Sequence, residues 1–150
     1  MKGNYARFFF MIAASVIAMY AASYLNSWDI SHVWFSQSRV FMVLYMGAIM
    51  AVIMLVFMLG MYRSVAGNIA VVVLAAIVFS GSLWLMRSQT TVDDVAYMKA
   101  MIPHHSIAIL TSRRAQIKDP RVRELADGII KAQEREIAEM ESLIADLESR

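Results

Sequence analysis

The chain has no cysteine. Disulfides, thiolate metal sites and cysteine nucleophiles are therefore excluded. Histidine and proline are also scarce, at three and two residues. Charge is scarce in one region only. From Phe8 to Met86 the charged side chains are Asp29, Arg39 and Arg63, whereas from Arg87 onward they are dense. A net charge of +2 gives no footing for nucleic acid. Several catalytic patterns are missing as well. No Glu stands three residues before a His, as carboxylate-bridged di-iron bundles require, and there is no His-Glu-x-x-His zinc motif. Ser106 directly follows His105, and adjacent side chains on a helix diverge, so the two do not form a nucleophile pair within it. The expectation is a protein that is not an enzyme.

What is abundant is apolar surface, at 59% of residues, and methionine, at 13 residues. Three charge-free runs, Phe8–Leu25, Val40–Met61 and Ile69–Met86, are each long enough to cross about 30 Å of hydrocarbon at about 1.5 Å per residue. The first has a rival reading as a secretory leader, with Lys2 and Arg7 before it and Ala21-Ala-Ser23 as a cleavage site. Its 18 residues are long for a leader core, so it is read as a retained span. The expected division is residues 1–87 as a three-span transmembrane region and 88–150 as a helical hairpin outside the membrane. Lys2, Arg7 and Arg63 against Arg39 and Arg87 set the orientation by the positive-inside rule. The N-terminus is cytoplasmic and the tail external, which in a bacterial inner membrane means periplasmic. Trp28, Trp34 and Trp84 near the span ends fit an interfacial belt.

Span one carries Ala14, Ala18 and Ala22 in a row of small residues suited to close helix approach. Span two carries Met42, Met46, Met50, Met54 and Met58 at every fourth position. Packing is the simpler reading of that stripe, since methionine fills irregular gaps; a metal path is the alternative.

In the tail, Thr91-Val-Asp-Asp94 reads as a capping box that opens a helix running to about Ile117. Asp119-Pro120 marks the start of a second, which runs almost to Arg150. Two helices bury too little to stand alone. They are expected to pair with a second copy, completing a four-helix bundle as a homodimer. On the first helix Val95, Met98, Met101, Ile102, His105, Ala108 and Ile109 fall within an arc of about 140°. His104 lies on the flank, and a kink at Pro103 is expected to swing it toward that face. On the second, Leu125, Ile129, Ala132, Glu136, Met140, Leu143 and Leu147 form the expected buried stripe. Glu136 sits at its middle, where a carboxylate needs a partner, and a facing imidazole supplies one. His32 reads as a polar loop residue.

Thioether sulfur with imidazole favours Cu(I), and Ag(I) with it, over hard cations such as magnesium or calcium. The alternative is a dimerising interaction module in which the histidines only specify packing.

Two segments, "YMKAMIPHHSIAIL" and "DPRVRELADGIIKAQEREIAEM", resemble the domain-of-unknown-function 305 family. Its pattern is Met101-Ile-Pro-His-His105 in the first helix and Gln133-x-x-Glu-Ile-x-x-Met140 in the second. The three apolar runs resemble a membrane-anchored subset. The resemblance implies a ferritin-like bundle and a periplasmic or secreted copper-binding protein linked to copper tolerance. Its ligands would be Met98, Met101, His104, His105 and Met140, with Glu136 behind an imidazole and a copper-handling protein as partner. This chain departs from many members after the histidine pair, where it reads Ile109-Leu-Thr111 instead of supplying a methionine.

Overall fold

The structure is a computed structural model and describes residues 4–149; Lys2, counted in the charge bias, lies outside them. The described residues form five α-helices and one 3₁₀ turn, without strands. They fall into two compact units.

One unit comprises residues up to Ser23 with Ser38–Thr91. It holds α1 (Tyr5–Ala22), α2 (Gln37–Phe57) and α3 (Val65–Ser88). Each is long and apolar enough to cross a membrane. The core gathers Phe8, Ala51, Leu55, Tyr62 and Val71, with Met54 and Met58 packed against it. Those two methionines therefore fill the role given to them by the packing reading. Ala14, Ala18 and Ala22 are exposed, so the small residues that permit close approach lie elsewhere. A Cβ on Gly47 would overlap a methyl group of Val16, which makes α2 the helix that gives way. Polar atoms find partners within the unit. The Tyr5 hydroxyl bonds Asn68 Oδ1 at 2.7 Å, and Asn68 Nδ2 donates to the Tyr62 carbonyl at 2.8 Å. Arg39, buried near the start of α2, donates to the Ser23 carbonyl and hydroxyl. Unpaired, such groups would be costly away from water.

The other unit comprises Tyr24–Gln37 with Val92–Arg150. The units part between Thr91 and Val92, just beyond the end of α3 at Ser88, and the segment between α1 and α2 belongs with the hairpin. This unit holds the 3₁₀ turn Ile30–His32, α4 (Asp94–Arg114) and α5 (Pro120–Glu148). The N-cap of α4 is Asp93, which accepts from the Ala96 N–H at 2.8 Å, not Thr91. A carboxylate caps better than a threonine hydroxyl, and the helix starts where that cap stands. α5 starts at Pro120 behind the Asp119 cap.

The hairpin core is Met98, Ile102, Ile109, Ile137 and Ile144, with Trp34, Val95 and Met140 against it. The buried seam of α5 thus runs through Ala126, Ile137 and Ile144, one position on from the expected stripe. Leu125, Ile129, Leu143 and Leu147 stay 64, 37, 46 and 37% exposed. With this rotation the Glu136 side chain is 42% exposed at the rim, where its carboxylate keeps contact with water.

Candidate metal centre

Pro103 lies within α4 and removes one amide from the ladder, yet the helix is continuous from Asp94 to Arg114. His104 is exposed on it. The kink expected to swing His104 toward the apolar face is not what the chain does: His104 lines no part of the cleft described next, and its ring centre lies 6.1 Å from that of His105. Adjacent positions on a helix diverge by about 100°, and a continuous helix preserves that divergence.

His105 turns the other way. Its side chain is 12% exposed. Nδ1 lies 3.0 Å from the Met101 carbonyl, and Nε2 lies 2.9 Å from Glu136 Oε2. A carbonyl only accepts, so Nδ1–H donates to Met101; a carboxylate likewise accepts, so the contact at Nε2 has a proton lying between the ring and Glu136, and the ring is held from both helices. Nε2 is the nitrogen presented outward. Glu136 thus meets the imidazole that it was expected to face, on the ring nitrogen opposite the one held by the Met101 carbonyl.

Beside this pair lies a cleft of about 630 Å³ between α4 and α5. Met98, Met101, Met140 and His105 line it, so four of the five expected ligands border one space and His104 does not. The rim is acidic. Asp94, Glu136, Glu139 and Asp146 contribute to the lining, and no Lys or Arg does. Among the described residues, no three His, Asp or Glu side chains gather to hold a metal ion. Within one chain, a hard cation bound by carboxylates and imidazole lacks a complete set. One imidazole nitrogen with three thioethers is a donor set that fits a soft monovalent ion.

The reading from sequence missed Ser106, which is fully buried. Its hydroxyl accepts from the Trp28 N–H at 2.7 Å and pairs with His32 Nδ1 at 2.9 Å. His32 is thus a fastening residue on the 3₁₀ turn, holding the 24–37 segment to α4. The turn is capped by Asp29, whose carboxyl is held below the usual carboxylate range by the Ser31 N–H and then the Ser31 hydroxyl. Nothing in the spacing of residues 28 to 32 announces a contact with position 106. A second hollow, of about 700 Å³, lies along Trp28, Arg113, Arg114, Arg123 and Lys131. There the Arg113 guanidinium stacks 4.8 Å from the Trp28 ring centre and pairs with Glu134 at 2.6 Å.

Comparison with known proteins adds three findings. The family model for a domain of unknown function (DUF305) matches residues 85–149. The uncharacterized protein L153 of Acanthamoeba polyphaga mimivirus is 33% identical over 141 residues, covering 89% of this chain and 91% of that protein. Coverage so broad takes in most of the apolar helices as well as the hairpin. No solved structure matches.

Proposed function

The chain belongs to the DUF305 family, and from that premise we propose a membrane-anchored copper-binding protein that is not an enzyme. α1 to α3 cross the bilayer, and the hairpin stands on the external side with the N-terminus inside. In a bacterial inner membrane that side is the periplasm. The hairpin holds Cu(I) for buffering, delivery or tolerance, with Cu(II) and Ag(I) as further ions. The observation that carries the reading is a single cleft bordered by His105, Met98, Met101 and Met140, with the imidazole held by its own helix. On binding, the proton held between Nε2 and Glu136 is released, the ion takes its place at the nitrogen, and the acidic rim draws cations toward the cleft. His104, on the exposed flank, is assigned to capture of the incoming ion and not to its final holding. The exposed leucines of α5 support self-association of the hairpin, and a copper-handling protein would collect the ion.

A second reading has one observation behind it. Both ring nitrogens of His105 already have partners, as in a histidine that only joins two helices of an interaction module. The test is metal content of the full chain purified without added metal, followed by competitive Cu(I) titration. The proposal expects His105→Ala to lower Cu(I) affinity at least tenfold, His104→Ala to change it little, and Met98→Leu with Met101→Leu to weaken binding with the fold retained, since Leu nearly conserves volume. Equal affinity for wild type and His105→Ala returns the pair to a packing role.

A further inference from the structure

The exposed stripe of α5 has a symmetry that the hairpin itself does not use. Leu125 and Leu147 stand equally far on either side of Glu136, as do Ile129 and Leu143, and Ala132 and Met140. The steps between these positions read the same from either end. A helix can meet an identical helix running the opposite way only if its apolar steps are matched about a centre, and here the centre is Glu136. We propose that two copies of the hairpin pack through this face with their α5 helices antiparallel. The two-fold axis passes at Glu136, and the two His105–Glu136 pairs meet in one buried layer. The proposal rests on the self-association read above and goes beyond it to the register and the shared site.

Size and charge both select the antiparallel register. It sets Ala132 of one copy against Met140 of the other, small against large. A parallel pairing sets methionine on methionine and leaves alanine facing alanine. Arg135 forms no ion pair among the described residues, and Glu139 lies on the same flank of α5. In the antiparallel register Arg135 of each copy lies beside Glu139 of the other, whereas in the parallel one the two flanks that carry these residues lie on opposite sides of the interface and the pair is not made. The axis also keeps α4 beside α4. The 24–37 segments, fastened to α4 through Ser106, then lie on one edge of the bundle, as two copies anchored in one bilayer require.

The chemical consequence is at the axis. One chain brings one imidazole and one carboxylate together at 2.9 Å, short of any cluster of three such groups. Two chains bring two of each. Two carboxylates meeting at a two-fold axis repel unless a proton or a cation lies with them. The thioether cleft lies within each copy, whereas a carboxylate-and-imidazole cluster at the axis is complete only in the pair, and a cation there favours pairing of the copies.

The absence of native cysteine makes the register directly measurable. Full-length chain carrying Ile129→Cys with Leu143→Cys, in detergent and treated with a short bis-maleimide or mild oxidant, should become mostly covalent dimer. Each single variant should stay uncrosslinked, because equivalent positions lie 14 residues apart along the helix (twice the seven-residue offset from Glu136), or about 20 Å. A disulfide needs Cα atoms within about 7 Å. Leu125→Cys with Leu147→Cys repeats the test where the first pair impairs folding. A dimer in which Ile129→Cys alone crosslinks to itself overturns the register and leaves self-association standing. A monomeric mass for the unmodified chain overturns both. Copper per chain, measured on the cysteine-free protein, judges the metal reading separately.

Discussion

Two hollows of similar size flank the same pair of helices, and they treat charge in opposite ways. In the groove beside Trp28, the acids are matched by cations. Arg113 pairs with Glu134 at 2.6 Å and Arg123 with Asp127 at 2.7 Å, while the indole ring receives Arg113 and Arg114 on its face. In the cleft beside His105, four carboxylates contribute to the lining without one Lys or Arg. Charges that neutralise one another close to a ring hold a segment in place. Acids gathered beside one imidazole and three sulfurs, with no Lys or Arg in the lining, favour something positive. The comparison teaches that residue type alone does not separate a fastening from a site. Both hollows contain acids, a histidine or an indole and apolar walls; the balance of charge separates them.

The contrast can be broken at its base. Ile102 is fully buried in the core beneath α4. Ile102→Ala should cost about 2–5 kcal/mol and disturb cleft and groove together, read as a lower urea midpoint for the hairpin by Trp28 and Trp34 fluorescence. A more selective change is Ser106→Ala. It leaves the buried-side Trp28 N–H without its acceptor and should cost about 1–3 kcal/mol. It should loosen the 24–37 segment, seen as faster hydrogen exchange there, while Cu(I) affinity in the cleft stays within about twofold. A Ser106→Ala protein that loses metal binding along with the segment would mean that the two hollows act as one.

The smallest expected effect is at the turn between the helices. Asp119 caps α5, and its carboxyl is held below the usual range by the Arg121 guanidinium and then the Arg121 N–H. A carboxyl lowered in the folded state contributes stability that is fully present above its ordinary value near 3.9. The contribution fades as pH falls through the lower folded value. The stability gap between wild type and Asp119→Asn should therefore be constant above about pH 5 and narrow in acid. A gap that grows on acidification would contradict the assignment.

Parts of this were legible because local chemistry decides them. The three apolar helices follow from run length without charge, since a bilayer leaves few other options for such segments. Asp119-Pro120 starts α5 because a cap and a preset φ act within one turn. The start of α4 was misplaced by two capping positions, because two adjacent candidates competed and the carboxylate prevailed. The pairing of His105 with Glu136 was readable from two facing stripes. Its partition between the ring nitrogens was not, because that depends on the Met101 carbonyl one turn back.

The sequence by itself determined which segments are helical, which are apolar enough to cross a membrane, and that soft donors cluster on about two turns of α4. Only the tertiary structure decided which of two neighbouring stripes on α5 is buried, that His104 stays outside while His105 faces the cleft, and that residues 24–37 belong with the hairpin through Ser106. The physical reason is one of range. Helix formation and capping are settled within about four residues. The rotation of a helix about its axis is settled by which face its neighbour covers. Here the face that α4 covers leaves the Glu136 carboxylate partly exposed and a symmetric row of leucine and isoleucine side chains uncovered.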